Sequence, residues 1–166
     1  MTSDLHRTAV HEAGHAVCAF LLGVEAGAVT IEPNGDNAGL CEVIPCYHPR
    51  RKYKHAATMA MVYLAGAVAE LLAFNDGVDD EIIAGGCDDF RKMKACCRAM
   101  GLSEIQTIRC QKQAARKVTR MLKYPPHAKA VESLAITLLV KTTLSWSESL
   151  EVMVNAMETA IKASED

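Results

Sequence analysis

Three residues in one short apolar segment have the types and the spacing of a metal-dependent hydrolase. His11, Glu12 and His15 interrupt the run TAVHEAGHAVCAF, whose other residues are mostly apolar or small. Residues four positions apart lie on the same face of a helix, so both imidazoles can direct a ring nitrogen at one ion. Imidazole nitrogen is a good zinc ligand, and Glu12 would flank the ion without binding it. The pattern predicts a zinc site.

This site predicts peptide hydrolysis with Glu12 as the general base. Zinc lowers the pKa of its bound water toward about 7, so a nucleophile is available at neutral pH. Glu12 would take the proton as the zinc-bound water attacks a peptide carbonyl, and would then pass it to the leaving amine. The alternative is a chance match on a solvated helix face. The position of the motif within an apolar helical pattern favours the metal site.

A third zinc ligand must come from elsewhere in the chain, because catalytic zinc usually has three protein ligands and an open position. Spacing leaves several candidates open: His48, His55, Glu70, Asp79, Asp80, Glu81, Cys87, Asp88, Asp89 and His127. Asp88 and Asp89 begin a helical pattern, where interaction with the helix dipole is an alternative role. Glu70 lies in an apolar segment, and we interpret it as a structural residue or as a partner that orients a zinc-binding histidine.

Length and composition indicate a single, mainly α domain over residues 1–166, with one small antiparallel β-hairpin or sheet. Half of the residues are hydrophobic and only 5% are aromatic, which suits packed helices. Apolar periodicity and helix caps predict helices at about 4–22, 59–74, 87–101, 103–124, 127–142 and from 146 onward. The runs AVTIE and GLCEVI predict the hairpin, and PCYHPRRKYKH at 45–55 predicts a loop.

The net charge, the cysteines and the hydropathy limit the binding partners and the cellular location that we expect. A net charge of -2 gives no general attraction to nucleic acid or to an anionic membrane. Seven cysteines without a C-x-x-C pair indicate a reducing interior, so we expect a cytoplasmic protein with mostly buried thiols. The longest apolar run, Met59 to Phe74, includes Glu70 and is shorter than the roughly twenty residues of a membrane span. We therefore expect a core helix and no membrane insertion.

The chain resembles a known family over nearly its whole length. Six segments occur in the order and rough spacing of the peptidase domain of FtsH-type AAA proteases: HEAGHA (11–16), VTIEP (29–33), AGL (38–40), LAGAVAELLAF (64–74), GGCDDF (85–90) and GLSE (101–104). The resemblance implies a mostly helical zinc peptidase that acts on protein substrates. His11 and His15 would be ligands, Glu12 the base and Asp89 the third ligand, with Asp88 in the place of the family's Asn.

The resemblance also implies a substrate-binding strand. The segment containing Gly39, Leu40 and Cys41 is similar to the family's substrate-binding edge, where a peptide adds as a further strand through main-chain hydrogen bonds. One departure from the family lies three residues before Glu70, where Ala67 replaces the Arg of the family motif G-R-A-A-E.

Several functional alternatives follow from these features. The chain contains no phosphate-loop motif, and Met1 stands ten residues before the histidine motif. We expect a stand-alone zinc metalloendopeptidase that cleaves unfolded or flexible polypeptides without ATP, unless a separate ATPase supplies them. A homo-oligomer is left open. The rivals are a zinc-stabilised binding module or adaptor that acts with a separate ATPase or protease, and a truncated remnant. An intact Glu12 favours the enzyme.

Overall fold

A computed structural model describes residues 4–33, 38–44, 52–74 and 88–164 of the chain. Within these ranges, the helices and three short strands follow in this order: α1 (Asp4–Leu22), β1 (Ala26–Thr30), β2 (Leu40–Val43), α2 (Lys52–Phe74), α3 (Asp88–Ala99), α4 (Glu104–Leu122), α5 (Pro125–Lys141), β3 (Thr143–Leu144) and α6 (Trp146–Lys162). The prediction of a mainly α fold with one small antiparallel sheet is confirmed.

Helix α1 lies at the centre of the fold because small residues let its neighbours approach. Ala9, Ala13 and Ala16 are fully buried in the main apolar cluster. A Cβ built on Gly14 would lie 2.5 Å from Cβ of Ala69 and 2.7 Å from the carbonyl oxygen of Ala65. The two backbones of α1 and α2 are therefore in direct contact at this point.

Helix α2 is longer than the sequence pattern indicated. We assigned 45–55 to a loop, but the helix begins at Lys52, and residues 45–51 lie outside the described part of the chain. The loop assignment is wrong for 52–55, because a polar first turn carries no apolar periodicity.

Among the described residues, one helical segment, Lys54–Phe74, is long and apolar enough to cross a membrane by length and composition alone. Of its most apolar window, 44% is buried within this fold.

The small sheet has the strand order β2-β1-β3 in the described part of the chain. Strands β1 and β2 are antiparallel, with Val29 opposite Cys41 and Thr30 opposite Leu40, so the predicted hairpin is confirmed. Strand β3 pairs with the other edge of β1 and was missed, since two residues are too short for any periodic signal. Strand β2 is thus an edge strand of this sheet.

Several helix ends follow from local sequence. Gly23 and Gly101 adopt positive φ values of 66° and 76° after α1 and α3, a conformation that glycine adopts without strain. Ser103 and Ser145 form complete capping boxes at the starts of α4 and α6. Helix α5 begins at Pro125, two residues earlier than predicted, because proline is well tolerated in the first helical turn.

The first turn of α3 is anchored by a second, smaller apolar cluster. Phe90, Met93 and Cys97, which are three to seven positions apart on one face of the helix, are buried against α2 and α4. Cys96 is more exposed than its neighbour, as expected for adjacent residues on a helix. This packing holds α3 against α2 and places Asp89, one residue before Phe90, beside α1.

Candidate metal centre

His11 and His15 face the same side of α1 and are oriented by acceptors on α2. Nδ1 of His11 lies 2.7 Å from Oε1 of Glu70, and Nδ1 of His15 lies 2.7 Å from the carbonyl oxygen of Val62. Donation of each Nδ1–H to its acceptor leaves Nε2 as the ligand atom of both rings. The ring centroids are 4.7 Å apart, so the two Nε2 atoms are presented to one point.

Asp89 supplies a carboxylate oxygen at that point. Its Oδ2 lies 2.9 Å from Nε2 of His11 and 3.0 Å from Nε2 of His15. Within the described ranges, these are the residues grouped closely enough to hold a metal ion. The structure thus brings together the three residues that the resemblance implied as ligands.

The other third-ligand candidates are not part of this group. Glu70 pairs with Nδ1 of His11 instead, and His55 lies in the first turn of α2. Asp88 is not grouped with the two histidines; its carboxylate pairs with Arg91 at 2.9 Å and with Lys92 at 2.8 Å. Nδ1 of His127 lies 2.8 Å from the carbonyl oxygen of Met121 on α4. Five candidates lie outside the described residues: His48, Asp79, Asp80, Glu81 and Cys87.

Three observations show that these residues fit a zinc ion. Two imidazole nitrogens and one carboxylate oxygen form a donor set of the kind found at catalytic zinc sites, which keep a further position open. Tetrahedral zinc with bonds of ~2.0–2.1 Å holds its ligand atoms about 3.3 Å apart, close to the separations seen here. In addition, a Cβ on Gly66 would lie 2.5 Å and 2.6 Å from Nε2 of His11 and His15, so glycine keeps the space beside the ligand atoms open.

The charges around this centre favour a cation. Burial lowers the pKa of His11, but hydrogen bonds with Asp89 and Glu70 outweigh it and raise the pKa to about 10. Burial raises the pKa of Asp89, but the two histidines outweigh it and hold that pKa below its usual range. A proton and a metal ion are both cations, so the same carboxylates that retain the proton attract a divalent ion.

Glu12 lies between the metal centre and the edge strand. It is buried, with 7% of its surface exposed, and the backbone N–H of Cys41 donates a hydrogen bond to its carboxylate. Burial raises the pKa of Glu12, while the charges of His15 and His11 act in the opposite direction. Glu12 has a raised pKa and lies next to the metal ligands without being one of them. Such a carboxylate is suited to accept and return a proton.

An open cleft of about 790 Å³ contains these groups. One wall is formed by β2 and the residues before it, and it includes Gly39, Leu40 and Cys41, the predicted substrate strand. The other walls come from α1, α2 and the first turns of α3. A Cβ on Gly39 would lie 2.9 Å from Cγ of Glu12, so the strand and the proposed base are in contact.

Several residues of the cleft and its surroundings were not singled out from the sequence, and four of them are Arg7, Tyr63, Gly66 and Lys92. Arg7 had a signal, since it lies four residues before His11 on the same helix face. The positions of the other three depend on how α2 and α3 pack against α1, which no local pattern encodes. Asp88 lies at the rim of the cleft.

A metallopeptidase domain is defined by this fold and site, in which a helix with the sequence HEAGH meets an aspartate from a second helix. The family model of peptidase family M41 matches residues 2–145. The chain belongs to this family, which comprises the FtsH-type zinc peptidase domains. The resemblance inferred from the sequence is therefore confirmed. The comparison with curated proteins gave no significant match.

Proposed function

We propose that this chain is a zinc-dependent metalloendopeptidase that hydrolyses unfolded or flexible polypeptides, with Glu12 as its general base. The observation that carries the proposal is the position of Glu12 beside three converging ligand atoms. Oδ2 of Asp89 lies within 3.0 Å of both Nε2 atoms, and Glu12 is buried next to them in the same cleft. Membership of a zinc peptidase family supports this assignment.

His11, His15 and Asp89 would hold the zinc ion through two Nε2 atoms and Oδ2. When bound, zinc lowers the pKa of water and stabilises negative charge on a carbonyl oxygen. Glu12 accepts the proton of the attacking water and later returns it to the leaving amine. The backbone N–H of Cys41, a hydrogen-bond donor to the Glu12 carboxylate, would orient this carboxylate for both proton transfers. Positioned acid–base groups of this kind contribute about 10²–10⁴ in rate.

The wall formed by β2 supports a preference for extended substrates. Strand β2 is at the edge of the sheet, and its residues line the cleft beside Glu12. An extended peptide can add to such an edge through main-chain hydrogen bonds, with Gly39, Leu40 and Cys41 as its contacts. A polypeptide must be locally unfolded to bind in this way, which is why flexible chains are the proposed substrates.

The setting that we propose follows from composition. The reducing environment indicated by the cysteines suits the cytoplasm, and the small net charge gives no reason for nucleic acid binding. Glu70 in α2 is paired with His11 and Arg7, which suits a core helix better than a membrane-inserted one. The hydrolytic step itself consumes no ATP, and the partners that we propose are an ATPase that delivers substrate and further copies of this chain.

The test compares wild type with Glu12→Gln in two assays. Zinc content is measured on purified protein, and cleavage is followed with casein and with a quenched peptide, with and without a chelator. We expect about one zinc per chain in both proteins and chelator-sensitive cleavage only in wild type. Glu132→Gln, on the exposed surface of α5, is the matched control and should cleave normally.

Two outcomes would contradict the proposal in different ways. Undiminished cleavage by Glu12→Gln would exclude Glu12 as the base. Stoichiometric zinc without cleavage of any unfolded substrate by wild type would favour the zinc-stabilised binding module or adaptor, and the search would turn to its ATPase or protease partner.

A further inference from the structure

Arg7 connects the metal centre to the C-terminal end of α2. Its Nε donates to Oε2 of Glu70 at 3.2 Å, and its guanidinium carbon lies 4.9 Å from the ring centroid of Phe74. Arg7 precedes His11 by four residues, and Glu70 precedes Phe74 by four, so one helical turn of α1 faces one helical turn of α2. The guanidinium is held by an ion pair and by a cation–π contact.

Glu70 needs such a partner because of its place in the helix. It lies one turn before the end of α2, where the helix dipole disfavours a negative charge, and the last turn of α2 contains no basic residue. Its side chain is 24% exposed, so water solvates it only in part. The Arg7 guanidinium of α1 balances part of the charge of Glu70.

The two oxygens of Glu70 have different partners. Oε1 lies 2.7 Å from Nδ1 of His11, and Oε2 accepts from Arg7. With Oε2 occupied, rotation of the carboxylate would break a charge-assisted hydrogen bond, so Oε1 stays directed at His11. The orientation of the His11 ring, and hence of its Nε2, depends on this bond.

We propose that Arg7 is a positioning residue of the metal centre, which acts through Glu70 to orient Nε2 of His11 toward Asp89. This inference rests on the proposed zinc site. Positioning and a simple charge effect predict opposite changes in zinc affinity when Arg7 is removed. A cation near a zinc ion weakens binding, so a charge effect alone predicts tighter zinc once Arg7 is removed. Loss of positioning predicts weaker zinc.

The experiment measures the zinc dissociation constant by competition with a chromogenic chelator for wild type, R7M and R7K. Loss of an outer partner of a metal ligand costs roughly 10–100-fold in metal affinity, and we expect R7M in that range. R7K keeps the charge and the aliphatic stem without the planar fork, so its affinity should lie between the two. R91M is the matched control: Arg91 lines the same cleft but pairs with Asp88, and its side chain is 76% exposed, so solvent screens its charge and zinc affinity should equal that of wild type.

The thermal midpoint of the zinc-free proteins separates positioning from folding. The Arg7 side chain is 35% exposed, so zinc-free R7M and R7K should unfold within a few degrees of wild type. If R7M fails to fold, R7K carries the test. Unchanged or tighter zinc binding in these variants would overturn the role of Arg7 while leaving the zinc peptidase intact. Absence of zinc binding in wild type would instead overturn the metal site itself.

Discussion

Gly66 on α2 faces His11 so closely that a β-carbon at this position would lie 2.5 Å from Nε2 of the imidazole. A β-carbon does not come within 3.0 Å of a non-bonded heavy atom. Any side chain at position 66 therefore requires one of the two helices or the imidazole ring to move. The same β-carbon would lie 2.6 Å from Nε2 of His15. The space in front of both ligand atoms therefore depends on one glycine in the middle of a helix.

Gly66→Ala is expected to impair zinc binding without unfolding the protein. Alanine has a higher helix propensity than glycine by about 1 kcal/mol, which opposes the cost of the contact. The shift of the imidazoles should weaken zinc affinity by at least about tenfold, in line with the effect of misplaced ligand partners. Zinc content and competition with a chelator measure this.

Ala67→Gly is the control for the Gly66 prediction. It changes the neighbouring position of α2, lowers helix propensity by a similar ~1 kcal/mol, and leaves the space beside the histidines unchanged. Its zinc affinity should match that of wild type. Normal zinc affinity in Gly66→Ala would show that the helices separate easily and that the close approach is not required.

Gly14→Ala should destabilise the fold even though helix propensity alone predicts the opposite. The new methyl group would lie 2.5 Å from Cβ of Ala69 and 2.7 Å from the carbonyl oxygen of Ala65, so α1 and α2 must move apart. Overpacking of a core typically costs about 1–3 kcal/mol. Urea unfolding with chelator present measures the change. A more stable variant would mean that propensity outweighs packing at this contact.

Local features of the fold could be predicted from the sequence, while its tertiary contacts could not. Helix α1, the ends at Gly23 and Gly101 and the capping boxes at Ser103 and Ser145 are encoded within a few residues. Strand β3 was missed because its two residues are defined only by their pairing with β1. Helix α2 was predicted too short because its first turn is polar.

The candidate site shows the same division. The spacing of His11, Glu12 and His15 within one helix predicts a shared metal from sequence alone. The third ligand could be chosen only through the family resemblance, because Asp89 lies 74 residues after His15 and reaches it through the packing of α3 on α2. Arg7 was recognisable as a neighbour of His11 on the helix, but its bond to Glu70 depends on how α1 and α2 pack.

Glu148 should make the stability of α6 depend on acid pH. Hydrogen bonds from the backbone and side chain of Ser145, with the ammonium group of Lys141, lower the pKa of Glu148 to about 2. A carboxyl group with a lowered folded-state pKa stabilises the fold above its unfolded pKa of about 4.3 and loses this contribution as the pH falls toward 2.

The measurement compares thermal midpoints of wild type and Glu148→Gln between pH 7 and pH 2, with chelator present throughout. Wild type should unfold at the higher temperature at pH 7, and the difference should shrink below about pH 4.3 as the carboxylate is protonated. Both proteins keep a capping side chain, so the comparison isolates the charge. A difference that stays constant over this pH range would contradict the assignment.

Asp88 and Asp89 allow a direct test of which carboxylate completes the metal centre. Asp89→Asn keeps the size of the side chain but replaces a charged oxygen, 2.9–3.0 Å from both Nε2 atoms, with a neutral and weaker ligand. Loss of a direct ligand should cost more than the roughly 10–100-fold typical of an outer partner, and cleavage should be lost with the metal. Zinc affinity and peptide cleavage are measured together.

Asp88→Asn removes the same charge one residue away and is the matched control. Its carboxylate is bound to Arg91 and Lys92 at the rim of the cleft, and these exposed ion pairs contribute little. Zinc affinity should change only slightly, because the lost charge does not face the histidines. A larger loss of zinc in Asp88→Asn than in Asp89→Asn would reverse the assignment, and α3 would then have to rotate to present its first residue to His11 and His15.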